Sequence, residues 1–148
     1  MHRPGRILLA EDNSDDAELT LMALSESGVQ QDDVQVAIDG VEALQMISEW
    51  AEDPHIPLPR LTLLDLKLPK RSGLEVLQRI RADERTRRMP VIILTSSLEH
   101  TDTSAAYDLA VNAYVRKPVD YPSFVEMTRV LTRFWLEMNE LPVAERTG

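Results

Sequence analysis

The chain has 148 residues, 43% hydrophobic and 28% charged, which is the length and composition of one globular domain. It has no cysteine, which excludes a disulfide scaffold, a thiolate zinc site, a cysteine-ligated iron–sulfur cluster and a cysteine nucleophile. The formal net charge of −9 argues against nucleic acid and anionic membrane as partners, and no apolar run approaches the roughly 18 residues of a membrane span.

Met1-His2-Arg3-Pro4-Gly5-Arg6 leads straight into a short apolar run, without the apolar stretch and cleavage site of a signal peptide, so a cytoplasmic location is expected. Arg6–Ala10 reads as a buried strand. Ala17, Leu21 and Leu24 then follow the helical spacing i, i+4, i+7, predicting a helix over Asp15–Ser27 that stops at Gly28, with Asp15 and Glu18 as its capping pair. Val34–Ile38 is a second strand. A second helix starts near Val41, carried by Ala43, Ile47 and Trp50, and a proline-broken loop follows over 53–59. Leu61–Asp65 is a third strand, and Leu74, Leu77 and Ile80 mark a third helix. Val91–Thr95 is a fourth strand, a weaker helix covers Asp102–Leu109, and Ala113–Val115 is a fifth strand. A long helix runs over Tyr121–Glu140, leaving 141–148 as a tail to a single domain whose core is about 5–140.

Charge is distributed unevenly. Residues 1–59 carry thirteen acidic and two basic side chains, whereas residues 60–88 carry four acidic and nine basic, including Arg79, Arg81, Arg85, Arg87 and Arg88. The basic stretch is read first as a solvated helix end, where cations suit the helix dipole, and second as a docking patch for an acidic partner.

Short apolar strands alternating with helices predict a doubly wound α/β fold: a five-stranded parallel sheet with helices on both faces. Ligands of such sheets bind beyond the carboxyl ends of the strands. Those ends carry Glu11-Asp12-Asn13, Asp65, Thr95-Ser96-Ser97 and Lys117-Pro118. Taken singly, each has an ordinary explanation as a cap, a turn former, a strand residue or a loop lysine. Together they predict converging carboxylates with a hydroxyl and an ammonium beside them. Like charges at close range repel, and a hard cation such as Mg²⁺ relieves that repulsion. A lysine opposite the metal completes a clamp for a phosphoryl group.

These residues resemble the receiver domain of two-component response regulators. The resemblance is carried by Glu11-Asp12, by Leu64-Asp65 with Leu68-Pro69-Lys70-Arg71-Ser72-Gly73, by Thr95-Ser96, by Lys117-Pro118, and by Asp39-Gly40-Val41-Glu42-Ala43-Leu44 at the second strand-to-helix junction. It covers about residues 5–138. The ending with Phe134-Trp135-Leu136 is similar to stand-alone receivers that partner phytochrome-type histidine kinases.

The resemblance implies the flavodoxin-like strand order 2-1-3-4-5 and a set of roles. Asp65 accepts a phosphoryl group from a histidine kinase. Asp12, Asp65 and the backbone carbonyl of Lys67 bind Mg²⁺ (or Mn²⁺), with Glu11 acting through water. Lys117 holds a phosphoryl oxygen, Thr95 donates its hydroxyl to the group, and Tyr114 turns inward as Thr95 moves. Lys117–Pro118 is expected as a cis peptide. Lys67 and Ser97, two residues past Asp65 and Thr95, flank the route of attacking water.

Three other readings are weighed. A haloacid dehalogenase-type phosphatase needs an acid where Lys67 stands. A flavodoxin-type electron carrier needs a hydroxyl-rich phosphate loop where Glu11–Asp16 is acidic. A receiver-like interaction module that is never phosphorylated is the remaining alternative.

On the last helix Phe124, Met127, Thr128, Leu131 and Trp135 form a core-facing stripe, with Phe134 and Met138 beside it. Large aromatics at a helix end either fold back over the domain's own edge or predict a homodimer through helix four, strand five and helix five, anchored by Phe134 and Trp135, and the homodimer is the expectation here.

Overall fold

The computed structural model describes residues 5–97 and 99–142. Five parallel strands, β1 (Ile7–Ala10), β2 (Val34–Ala37), β3 (Leu61–Leu64), β4 (Val91–Thr95) and β5 (Ala113–Arg116), form one sheet in the order β2-β1-β3-β4-β5. The central strands are short and wholly buried, and β1 stands opposite β2 and β3 with Ile7 paired to Val34 and to Leu61.

Because side chains alternate across a strand, β1 feeds two cores. Leu8 and Ala10 join Ile47 and Trp50 of α2 (Gly40–Glu52), Val76, Leu77 and Ile80 of α3 (Gly73–Ala82), and Ala106 of α4 (His100–Asp108). Ile7 and Leu9 face the other way, toward Leu24 of α1 (Ser14–Glu26) and Leu136 beyond α5 (Tyr121–Thr132). Helices therefore cover both faces, as the apolar patterning requires.

Helix starts are set by short polar side chains. Asn13, not Asp15, caps α1, accepting from the Asp16 amide at 3.0 Å. The helix therefore begins one residue earlier than its apolar spacing suggests. Asp39, Ser72 and Asp120 cap α2, α3 and α5 in the same way. Helix α4 has no side-chain cap and buries only Ala106, in keeping with its weak pattern.

The predicted helix over Tyr121–Glu140 is α-helical only to Thr132. Arg133–Met138 winds as a π-helix, which takes up more residues per turn and shifts the inward stripe. Leu136 takes the buried place, and Trp135 is half-buried against the α1 side of the core. Phe134 stays 45% exposed, its ring edge-on to Trp135 at 5.0 Å. The Arg60 guanidinium closes this end by donating to the Asn139 carbonyl at 2.9 Å. Of the predicted tail, all but its first two residues lie outside the described residues.

The basic stretch is partly structural. Arg81 donates to the carbonyls of Met89, Ala110 and Arg87 and to the Asn112 side chain at 2.8–3.0 Å, tying α3 to the loop before β5. Arg85 pairs with Asp83.

Two glycines fix the loop after β3. A Cβ on Gly40 would stand 1.9 Å from the Arg71 carbonyl oxygen, and one on Gly73 would stand 2.2 Å from that of Asp65. The α2 start thus grips the loop, helped by an Asp39–Lys70 ion pair at 3.3 Å, although Lys70 itself lies in the left-handed region at φ 68°. Gly40→Ala should lower stability by about 2 kcal/mol or more, since the new methyl would meet the carbonyl and Cβ of Arg71, which cannot swing aside as a side-chain tip could. Urea denaturation checks this, and a loss below about 0.5 kcal/mol would contradict the tight contact.

Candidate functional site

Strand order decides which side chains meet. The carboxyl ends of β1 and β3 are adjacent, β4 follows, and β5 lies beyond it. Glu11, directly after β1, is 3% exposed and anchored by its own amide to the Ala37 carbonyl. Asp65, directly after β3, is anchored the same way to Ala10. The Lys117 amide donates to the Thr95 carbonyl at 2.8 Å, and its side chain reaches back past β4.

The Lys117 ammonium is the meeting point. Nζ lies 2.6 Å from Glu11 Oε1, 3.0 Å from Asp65 Oδ2 and 3.7 Å from Asp16 Oδ2. On its other oxygen, Asp65 accepts from the Lys67 amide at 3.2 Å and stands 3.4 Å from the Thr95 hydroxyl. Asp65 is therefore already touched by Lys117, Thr95 and the backbone of Lys67. Thr95 is buried, and its hydroxyl also accepts from the Ser97 amide. Tyr114 packs its ring against the α2–α3–α4 core, with its hydroxyl buried and without a hydrogen-bond partner among the described residues.

Burial works against the charges here. Desolvation pushes the Glu11 carboxyl above its usual range, although Lys117 opposes it. Burial also pulls on Lys117, but its hydrogen bonds to Glu11 and Asp65 outweigh that and hold the ammonium above its ordinary value.

One expectation is corrected. Lys117–Pro118 is trans, since the described residues contain no cis peptide, and trans is the ordinary preference of a bond to proline. Glu11 and Asp65 meet through Lys117 while Asp12 points into an exposed position, and no three acidic or histidine side chains among the described residues are grouped to hold an ion as they stand.

The donor chemistry nevertheless suits a hard divalent cation. Asp12 is exposed and makes no hydrogen bond or ion pair among the described residues, so its carboxylate is available to such an ion. Two contacts went unread in the sequence. Asp16 was counted only in the acidic run Glu11–Asp16, yet its carboxylate lies 3.7 Å from the Lys117 ammonium. Asp102 on α4 accepts from the Ser97 hydroxyl at 2.7 Å, which anchors the loop after β4.

Residues 7–129 match the response regulator receiver domain family, and the chain belongs to it. Receiver domains bind Mg²⁺ or Mn²⁺. Among particular relatives, the chain is 36% identical to the response regulator Rcp1 of Synechocystis sp., over 95% of both chains. The Mn²⁺-bound crystal structure of Rcp1 superposes with a TM-score of 0.81, covering 95% of this chain and all of that one. The phosphorylated cyanobacterial phytochrome response regulator RcpA matches at 35% identity and TM-score 0.80, covering 92% of this chain and 96% of that one. The bacteriophytochrome response regulator AtBRR is 44% identical at TM-score 0.67, over 90% and 96%. No helix among the described residues is long and apolar enough to cross a membrane.

Because the folded chain raises the Glu11 pKa, it holds a proton above pH 4.5 that the unfolded chain has released. Stability linked to this group falls as pH rises through that window. Urea unfolding across pH should therefore show the wild type losing stability relative to Glu11→Gln as pH rises from about 4.5. A constant difference would refute the buried-charge assignment.

Proposed function

We propose that the chain is a single-domain response regulator that accepts a phosphoryl group on Asp65 from a histidine kinase and signals by protein–protein contact. The observation that carries this reading is the contact set of Asp65: ammonium on one oxygen, hydroxyl and backbone amide on the other. Phosphoryl transfer asks a site for positioning and charge neutralisation. An Asp65 oxygen attacks the phosphorus, a P–O bond forms, the P–N bond of phosphohistidine breaks, and the imidazole leaves with the electron pair. Lys117 balances the growing negative charge and Thr95 donates its hydroxyl to a phosphoryl oxygen. Glu11, Asp12, Asp65 and the Lys67 carbonyl would hold a divalent cation, whose chemistry is to neutralise charge on the transferring oxygens.

The kinase is of phytochrome type in this reading, supported by the names of RcpA and AtBRR. Tyr114 and Thr95 form the switch, biasing the surface around α4 and β5 once the phosphoryl group arrives. The protein works in the cytoplasm. With purified protein and a phosphorylated kinase or acetyl phosphate, wild type should shift on a phosphate-affinity gel with Mg²⁺ present. Asp65→Asn, or excess EDTA, should abolish the shift. Full labelling of Asp65→Asn would refute the acceptor assignment, and no labelling of wild type would leave the unphosphorylated interaction module.

A homodimer is the second element of this reading. Val130, Phe134 and Met138 lie four residues apart and are 45–63% exposed, an apolar stripe on the last helix with nothing over it among the described residues. Phe134 is its centre, with Trp135 buttressing it from beneath. Sedimentation should find a dimer at micromolar concentration, shifted toward monomer by Phe134→Ala with Trp135→Ala, at about 2 kcal/mol or more of association energy. A wild-type monomer with and without phosphoryl would end this element.

A further inference from the structure

Lys117 stands among three carboxylates, and only two of them sit at strand ends. The third, Asp16, is in the first turn of α1, where its amide is held by the Asn13 side chain at 3.0 Å and its carbonyl accepts from the Thr20 hydroxyl at 2.8 Å. Its carboxylate is half exposed and 3.7 Å from Nζ, a looser contact than the 2.6 Å and 3.0 Å to Glu11 and Asp65. Beside that contact is a cavity of about 400 Å³, walled by Asp16, Lys117, Ser96, Arg116 and Val119, but not by Glu11, Asp12 or Asp65. Open space therefore borders Asp16 and Lys117 without bordering the strand-end carboxylates.

This arrangement answers a charge problem. Glu11 and Asp65 are both held by Lys117, and both are needed by a divalent cation. Two cations cannot share the same oxygens without repulsion. Lys117 must loosen its hold on Glu11 and Asp65 when they turn to the metal, and a buried ammonium without a partner is costly.

We propose that Asp16 is a positioning residue for Lys117. It receives the ammonium as the strand-end carboxylates engage a divalent cation, and keeps it charged and close enough to meet a phosphoryl oxygen on Asp65. The proposal rests on the phosphoacceptor reading, because it presumes a metal at those carboxylates. It assigns Asp16 no contact with metal or phosphoryl group.

The test is a double-mutant cycle on Mg²⁺ affinity, read by titration calorimetry of the full chain at physiological ionic strength. Asp16→Asn keeps the shape and the amide contacts of the first turn. It should weaken Mg²⁺ binding by about three- to fivefold, the worth of one partly exposed ion pair, and Asp16→Glu should restore most of the loss. Lys117→Met should tighten binding by removing the competing cation. In that background Asp16→Asn should change affinity by no more than about 1.5-fold, since the partner it serves is gone. An equal loss in both backgrounds would show that Asp16 acts only as nearby negative charge, and no loss in either would show that it does not act at all. Both results overturn the role of Asp16 while leaving the phosphoacceptor reading intact. Absence of Mg²⁺ binding by wild type would instead overturn that reading and this proposal together.

Discussion

The site depends on one ammonium group. Lys117 starts beyond β5, and its side chain must cross the end of β4 to reach Glu11 and Asp65. That reach exists only because β1 and β3 are neighbours, with β4 between them and β5. The backbone bond from Lys117 to the Thr95 carbonyl sets where the side chain departs. A change in strand order, or a slip of β5 by one residue, would point this cation at the wrong layer of the molecule.

The same cluster is a place where the fold gives up stability. Glu11 is buried with its carboxyl displaced upward, and the acids around Lys117 outnumber it. Tyr114 buries a hydroxyl without a hydrogen-bond partner among the described residues. Polar groups left in this condition each cost on the order of 1–3 kcal/mol. They persist because the two cores on either side of the sheet over-determine the backbone that carries them. Sites poised for a new ligand commonly have this character.

Much of this was legible in the sequence. The alternation of Leu8 and Ala10 with Ile7 and Leu9 does not itself announce two cores, but short apolar strands between helices do. Strand ends could be placed to within a residue, which was enough to single out Glu11, Asp65, Thr95 and Lys117 as neighbours. Departures arose where local spacing does not carry the deciding term. Asn13 displaced Asp15 as a cap because capping depends on where the chain turns. The π-helical turn at Arg133–Met138 has no signature in apolar periodicity, so the places of Trp135 and Leu136 were exchanged. Asp16 was part of an acidic run with no assigned role, and its contact with Lys117 spans 101 positions that no local pattern connects.

The sheet edges carry a further consequence. The outer strands β2 and β5 are only four residues long, and β5 ends at Arg116, one residue before Lys117-Pro118. A proline there has no amide to donate, and a charged residue at the lip discourages a flat, extended partner. The open sheet is thus poorly suited to growth by strand addition, whether from another copy or from an extended peptide.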